Sequence, residues 1–405
     1  MILATRRRQL YATAICFMLV AGAGRMAFEL PRALWEVSGT GSIDLKHRHG
    51  EIRSWFAGDP VYADTGAVYP PATFVILAPL IGWMDYETSR RLWALASLVG
   101  MACLAWLLAR SGSHDRLERA FLIVTVFCIS PTQVALGVGQ MINQLLPALW
   151  LGLLLVTRRE GGLREDLLGS ALIVAASVKP NVFVPFGWII LFACPRWRPV
   201  ALCLGGYMLL TIVGVAVRPE SFSTLAAEWI ANVGGGDWVG SDKGTDWMTT
   251  YAGNQWLGES YSNLHKLMWT MGFDAGYAIG SVIVLAGFGV WVFRNRRADV
   301  LTLLAVAALV ARFWTYHRVY DDALLLIPLA ALSRLMWMQE GTRSRTLTQV
   351  LFFANWAMLM APAQIMAGEP PLSWMMEGTQ SVLWLVTLVH LAIVARVDRF
   401  QTQLA

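Results

Sequence analysis

The chain has 405 residues, of which 56% are hydrophobic and 15% are charged, against about 25% charged residues in a typical soluble domain. Its formal net charge is only +5. This composition excludes a soluble globular enzyme and predicts one integral membrane domain over residues 1–405. Nineteen of the 32 lysines and arginines lie in seven bunches between apolar stretches, which indicates membrane topology and no nucleic-acid partner.

The arginine bunches recur in every second gap between apolar stretches. Their members are Arg6/Arg7/Arg8, Arg110/Arg116/Arg119, Arg158/Arg159/Arg164, Arg196/Arg198, Arg294/Arg296/Arg297, Arg334/Arg343/Arg345 and Arg396/Arg399. Cytoplasmic loops of polytopic membrane proteins carry such an excess of basic residues. The pattern therefore predicts a bacterial inner-membrane protein with cytoplasmic termini, and it places the remaining polar gaps on the extracytoplasmic side.

A membrane-spanning helix needs about 20 mostly apolar residues, and we expect about twelve, in an all-α fold. The first is read as an uncleaved span, and the fourth to sixth are short enough to be tilted, broken or re-entrant. The predicted spans are residues 9–28, 88–110, 119–137, 142–157, 166–180, 182–195, 199–217, 273–293, 299–313, 322–338, 347–366 and 380–396.

The first outer loop, about residues 29–87, has predicted structure of its own. Ser42 is expected to cap a helix over residues 43–57, whose apolar positions suit the membrane surface. A Gly-Asp-Pro turn ends this helix. The apolar run 72–84 is too short to span, so we expect a re-entrant or surface helix there.

Asp44 stands at the start of this surface helix, among His47, Arg48 and other charged residues. A carboxylate at the membrane–water boundary could act as a general base on an incoming hydroxyl, which contributes about 10²–10⁴-fold to a rate. The structural alternative is a helix N-terminal acid that pairs with Arg48 four residues later.

Cations in two other outer segments are candidates to bind a phosphate. Lys179 lies at the outer end of the fifth span, where it either snorkels to the interface or meets an anionic headgroup. His317 and Arg318 lie in a polar cluster between two later spans, and arginine binds phosphate oxygens in a forked geometry. The alternatives there are a solvated turn, with Arg318 paired to Asp321 or Asp322, or a divalent metal on these two acids, for which a third ligand is lacking.

Amides and aromatics in the outer segments are candidates to bind a sugar. Gln140 and Asn143 join the third and fourth spans, where contact between helices is the structural alternative. The second long outer loop, about residues 218–272, mixes glycines, tryptophans and amides such as Asn254. That composition suits carbohydrate stacking, an interfacial aromatic belt or a lid over a site.

In four segments taken in order, the chain resembles glycosyltransferase family 87 of the GT-C superfamily. The segments are Asp44-Leu45 with Phe56-Ala57-Gly58-Asp59-Pro60-Val61-Tyr62 and Tyr69-Pro70-Pro71, then Gly139-Gln140-Met141-Ile142-Asn143, then Lys179-Pro180 with Arg196-Trp197-Arg198, and finally Gly253-Asn254-Gln255-Trp256. The resemblance covers residues from about 40 to 335.

This resemblance implies an inverting transfer of one sugar, with mannose favoured, from a polyprenyl-phosphate donor to a hydroxyl of a lipid or glycan acceptor outside the cytoplasm. It implies Asp44 as the catalytic base, places Lys179 at the family's Lys-Pro position and places His317 where family members also carry a functional histidine. From their chemistry, Lys179, His317 and Arg318 are the expected donor-phosphate ligands. The expected substrate-binding residues are His47, Arg48, Tyr69, Gln140, Asn143 and Asn254. One departure affects donor or acceptor identity, since Lys46-His47-Arg48-His49 stands where family members often carry a tyrosine.

Two rival functions remain open at this stage. One is a ligase or polymerase of the O-antigen type that uses a diphosphate-linked glycan. A long outer loop rich in arginines would favour this function, but residues 218–272 carry only Arg218, Lys243 and Lys266. A lipid or sugar-lipid transporter would favour internal repeats with broken helices, and no repeat is visible. Neither a metal nor any other cofactor is predicted, and no nucleotide-binding motif occurs.

Overall fold

The computed structural model describes residues 2–35, 41–234, 276–315, 317–338, 342–361 and 372–404. Within these ranges the chain is almost entirely helical and contains no strand. The first half comprises α1 (Ile2–Trp35), α2 (Ile43–Ala57), α3 (Val61–Thr65), α4 (Pro71–Leu77, continued by a π-helical turn Ala78–Gly82), α5 (Tyr86–Gly112), α6 (Arg116–Cys128), α7 (Ser130–Val138), α8 (Ile142–Val156) and α9 (Leu163–Ala176). The second half comprises α10 (Pro180–Ala193), α11 (Trp197–Ala216), α12 (Phe222–Gly234), α13 (Gly276–Asn295), α14 (Val300–Phe313), a 3₁₀ segment (Val319–Leu325), α15 (Leu326–Met338), α16 (Thr342–Met360) and α17 (Leu372–Leu404).

Helical structure lies at each of the twelve predicted spans, and the all-α prediction holds for the described residues. By length and composition, five segments there are long and apolar enough to cross a membrane: Gln9–Trp35, Tyr86–Gly112, Arg116–Val138, Trp197–Ala216 and Met375–Ala395. Shorter apolar helices include Ile142–Val156, Pro180–Ala193 and Val300–Phe313. The number of twelve spans therefore stays a prediction.

The predicted third span is broken in its middle by a proline. Pro131 has no N–H to donate to the carbonyl of Phe127 four residues earlier, and the backbone is extended at Ile129, between α6 and α7. The side chain of Gln133 replaces the lost donor, because its Nε2 lies 2.6 Å from the Phe127 carbonyl and 3.1 Å from that of Gly22 on α1. The break is thus satisfied inside the protein, as a membrane environment requires.

The core centres on α14. Every residue from 301 to 312 is buried, as expected for a helix that is enclosed on all sides. Helices α10, α15 and α17 and the 3₁₀ segment pack around it. A polar residue on α14 must therefore find its partner within the protein, which becomes important for Arg312.

The helix predicted over residues 43–57 is confirmed as α2, but the predicted cap is wrong. Ser42 occupies the N-cap position in the left-handed region with φ 51°, and its side chain makes no cap hydrogen bond. Its hydroxyl donates instead to the carbonyl of Ala33 on α1 at 3.1 Å, and its N–H donates to Gly137 at 2.8 Å. These bonds fix the start of α2 against α1 and α7.

The far end of α2 is held by α11. Trp55 donates from Nε1 to the carbonyl of Gly214 at 3.1 Å, and Arg218 donates to the carbonyls of Trp55 at 2.7 Å and Asp59 at 2.6 Å. Arg218 also pairs with Glu220 at 2.7 Å. Arg218, which belongs to the predicted second outer loop, thus anchors the first outer loop.

We predict that Gly100→Ala destabilises the packing of α5 on α8. A Cβ at Gly100 would overlap the carbonyl of Asn143, and overpacking of this kind typically costs ~1–3 kcal/mol. The thermal midpoint of the purified protein in detergent should fall by several degrees. Gly187→Ala is the matched control, since a Cβ there meets nothing within 4 Å. Equal midpoints for the two variants would contradict this account of the contact.

Candidate active site

Three polar segments meet at one end of the helical bundle. Thr73 on α4 donates to the carbonyl of Val178 in the turn between α9 and α10, at 2.9 Å. Trp314, just after α14, donates to the carbonyl of Asn181 at 2.8 Å. The connections rich in arginine, which follow α5, α8, α10 and α13, lie at the opposite ends of these helices. The predicted separation of candidate chemistry from the arginine bunches therefore holds for these segments.

The centre of this region is a buried triad of Lys179, Asp321 and His317. Lys179 Nζ donates to Asp321 Oδ1 in a direct ion pair, and His317 Nδ1 lies 3.1 Å from Asp321 Oδ2. Their exposed fractions are 4%, 1% and 0%, respectively. The Lys179 ammonium also lies 4.7 Å from the centre of the Tyr320 ring. Lys179 is therefore neither a snorkelling residue nor an isolated cation.

The charges of the triad follow from its burial and its pairing. Burial alone would raise the pKa of Asp321, but Lys179 and His317 hold that pKa below its usual range. Burial lowers the pKa of His317, and the hydrogen bond that its ring donates to Asp321 opposes this effect. Asp321 is thus an anion and His317 a neutral imidazole at neutral pH.

A second buried pair lies beside the first. Arg312 on α14 donates from Nε to Asp322 Oδ1, and its guanidinium lies 5.2 Å from the centre of the Trp384 ring on α17. Both partners are almost fully buried. The cation that neutralises Asp322 is therefore Arg312, a residue that the sequence reasoning did not single out.

This pairing bears on the metal site considered for Asp321 and Asp322. Each carboxylate binds its own cation, and within the described residues no three histidine, cysteine or acidic side chains are grouped to hold a metal. The two adjacent acids instead bind cations from two different parts of the chain. One ties the connection after α14 to the turn before α10, and the other ties it back to α14.

Arg318 differs from the other cations of this cluster because its side chain is partly exposed. Its backbone N–H lies 3.4 Å from Asp321 Oδ2. Lys179, Arg312 and Arg318 thus share one polar cluster with Asp321 and Asp322. A partly exposed guanidinium has several N–H donors that suit the oxygens of an anion.

Asp44 lies in a neighbouring polar group on α2. Arg48 pairs with the buried Glu51 on the same helix and places its guanidinium 4.5 Å from the centre of the Tyr69 ring. Burial raises the pKa of Tyr69. Arg48 opposes that rise, and Asp44, Asp321 and Glu51 add to it. Acids of both polar groups, Asp44 on α2 and Asp321 in the triad, thus contribute to the raised pKa of Tyr69.

The other predicted sugar ligands have different surroundings. The side chain of His47 is exposed, whereas that of Gln140 is buried and accepts a hydrogen bond from the N–H of Met141 at 3.0 Å. Asn143 is fully buried and donates to the Thr132 carbonyl at 2.9 Å, the contact between helices that was the structural alternative. Asn254 lies outside the described residues, as does most of the second outer loop.

The architecture and the site together define an integral membrane protein with a largely buried cluster of charged residues at one end of its helices. The sequence model of glycosyltransferase family 87 matches residues 67–328 of this chain. Since the match covers more than half of the chain, the protein belongs to glycosyltransferase family 87. No curated protein and no solved structure matches it.

The matched residues include Tyr69, Lys179, His317, Arg318 and both buried ion pairs. Asp44 precedes them, so the family match does not cover it. The family confirms the resemblance seen in the sequence and the transferase class. It leaves the donor, the sugar and the acceptor to be proposed.

We predict that the Arg312–Asp322 pair behaves as a coupled unit. Arg312→Gln or Asp322→Asn alone leaves the remaining buried charge uncompensated, which typically costs ~3–5 kcal/mol. The double variant should recover a large part of that loss. Thermal midpoints of the four proteins in detergent measure the coupling. Additive losses in the double variant would show that the two side chains do not depend on each other.

Proposed function

We propose that this glycosyltransferase moves one sugar from a polyprenyl-phosphate donor to a hydroxyl of a lipid or glycan acceptor, on the extracytoplasmic side of the membrane and with inversion at the anomeric carbon. Mannose is the sugar that we would test first. The observation that carries the proposal is the partly exposed Arg318 beside the buried Lys179–Asp321–His317 triad.

The site suits a substrate that is apolar at one end and anionic at its centre. A lipid-linked sugar keeps its tail in the membrane and brings a phosphate to the membrane edge. Arg318 is the cation best placed to meet this phosphate, because its side chain is partly exposed. Lys179 supports it from within, since its ammonium is buried and held by Asp321.

The proposed step is a direct displacement. Asp44 accepts the proton of the acceptor hydroxyl as that oxygen forms a bond to the anomeric carbon. The bond from the anomeric carbon to the phosphate oxygen breaks, and its electron pair remains on the phosphate. The negative charge that develops there is stabilised by Arg318 and Lys179, whose positions are set before the reaction.

The rival functions have less support. The family belongs to the glycosyltransferases, which disfavours a transporter that forms no bond. The one cation of residues 218–272 that lies in the described part of the chain, Arg218, binds the carbonyls of the first outer loop. It therefore has a structural role and does not support the arginine-rich loop expected of an O-antigen ligase.

We predict that Asp44→Asn lowers sugar transfer by about 10²–10⁴-fold, because an amide cannot accept the proton of the acceptor. Transfer is measured in vesicles that contain the purified protein, polyprenyl-phosphate mannose and a membrane lipid extract as the source of acceptor. Asp64→Asn is the control, because Asp64 is an exposed acid on α3 in the same loop. Full activity of Asp44→Asn would remove Asp44 as the base.

We predict that Arg318→Gln raises the KM for the lipid-linked donor by about 10- to 100-fold. This range corresponds to the ~1.5–3 kcal/mol of a hydrogen bond to a charged group. Arg91→Gln is the matched control, since Arg91 is an exposed arginine in the first turns of α5, at the end opposite its arginine-rich connection. If both variants change KM equally, Arg318 has no specific phosphate contact. If the wild type transfers no sugar from any polyprenyl phosphate, the proposed donor class is wrong.

A further inference from the structure

The orientation of His317 gives its two ring nitrogens different chemistry. Nδ1 lies 3.1 Å from Asp321 Oδ2, and an ionised carboxylate can only accept hydrogen bonds. The proton must therefore be on Nδ1 in the neutral ring. The other nitrogen, Nε2, is buried and has no hydrogen-bond partner within the described part of the chain.

A neutral imidazole with its proton on Nδ1 presents a lone pair at Nε2. A phosphate oxygen is also an acceptor, so it gains no hydrogen bond from that atom. A hydroxyl group does, because it can donate. We infer that Asp321 positions His317 in the Nδ1–H tautomer, and that Nε2 is an acceptor for a substrate hydroxyl. This inference rests on the proposed function and narrows the phosphate role that the sequence suggested for His317.

The surroundings of the ring support the neutral form. The charged groups that act on it are Asp321 from its own segment, Lys179 from the turn before α10 and Arg312 from α14. Burial and the two cations lower the pKa of His317, and Asp321 raises it without reversing the net direction. The ring is therefore neutral at and above its ordinary pKa of about 6.5.

Lys179 makes the role of Asp321 testable. It donates to Oδ1 of Asp321, so an asparagine at this position would turn its carbonyl oxygen to Lys179 and its NH₂ group to His317. A donor would then face Nδ1, which would move the ring proton to Nε2. A purely structural role of Asp321 would change stability without moving this proton.

The first experiment reads the tautomer by nitrogen NMR of the full-length protein, with labelled histidine, in lipid nanodiscs. His317→Gln identifies the signal among the six histidines. We expect a protonated Nδ1 and an unprotonated Nε2 in the wild type from pH 6.5 to 8, and a shift towards protonated Nε2 in Asp321→Asn. An imidazolium ring at pH 6.5, a protonated Nε2 in the wild type, or an unchanged tautomer in the variant would overturn the inference.

Asp321→Asn leaves Lys179 with a weaker buried partner, so the same spectrum is recorded for the Lys179→Met/Asp321→Asn double variant. Its amide has no ammonium to orient the carbonyl, so the ring proton should shift less than in Asp321→Asn. Asp321→Glu is the conservative control and should keep the proton on Nδ1. The wild-type spectrum tests the assignment of Nε2 even if neither asparagine variant folds.

The second experiment separates a hydroxyl contact from a phosphate contact. Binding of a polyprenyl phosphate without sugar should change less than threefold in His317→Leu, whereas a tenfold loss would assign Nε2 to the phosphate. With polyprenyl-phosphate mannose, His317→Leu should lower kcat/KM by about tenfold or more, and His317→Gln, which keeps an acceptor atom, should restore part of it. Unchanged kcat/KM in His317→Leu would also overturn the inference.

Two sources of the hydroxyl are distinguished by the kinetics of the same variant. A rise in the KM for the donor assigns the contact to the transferred sugar, and a rise in the KM for the acceptor assigns it to the acceptor. If the wild type binds no polyprenyl phosphate and transfers no sugar, the proposed function fails, while the NMR result still decides the tautomer.

Discussion

The organisation of this site depends on the ion pair between Lys179 and Asp321. Its partners are 142 residues apart and almost fully buried, and desolvation of two charges is repaid only when their geometry is good and their remaining polar atoms are bonded. His317 and the backbone of Arg318 supply those further bonds at Oδ2 of the same carboxylate. One acid thereby fixes a lysine, a histidine and the start of the 3₁₀ segment, so the cation nearest the surface is presented on a rigid base.

The same reasoning explains why two consecutive acids have separate roles. Asp321 and Asp322 point to different partners because a 3₁₀ turn separates neighbouring side chains by about 120°. The first faces the turn before α10 and the second faces α14. The connection is thus clamped from both sides. In a low-dielectric interior, such paired charges give a fixed arrangement that water cannot replace.

Much of the fold could be read from local pattern, because apolar runs and their bounding arginines are local signals. The helix at about residues 43–57 was predicted from its local pattern and is present. The cap predicted at Ser42 is absent, since its hydroxyl donates to the carbonyl of Ala33 in another helix. A contact between distant segments of this kind leaves no local sequence pattern. The break before α7 was also missed, although Pro131 and the side chain of Gln133 are its visible causes.

Long-range pairing limited the prediction of the site in the same way. The sequence identified Lys179, His317 and Arg318 as cations near a membrane edge, and it treated Asp321 as one half of a metal site or a solvated turn. Which cation neutralises which acid is decided by helix packing, and Arg312 was hidden within an apolar run. The sequence assigned Lys179, His317 and Arg318 to the phosphate. Pairing gives Lys179 a supporting position and His317 a different hydrogen-bonding character, and it identifies Arg312 as the partner of Asp322. The chemistry of a buried polar site thus depends on which atoms can still bind a substrate after the hydrogen bonds and ion pairs within the protein have formed.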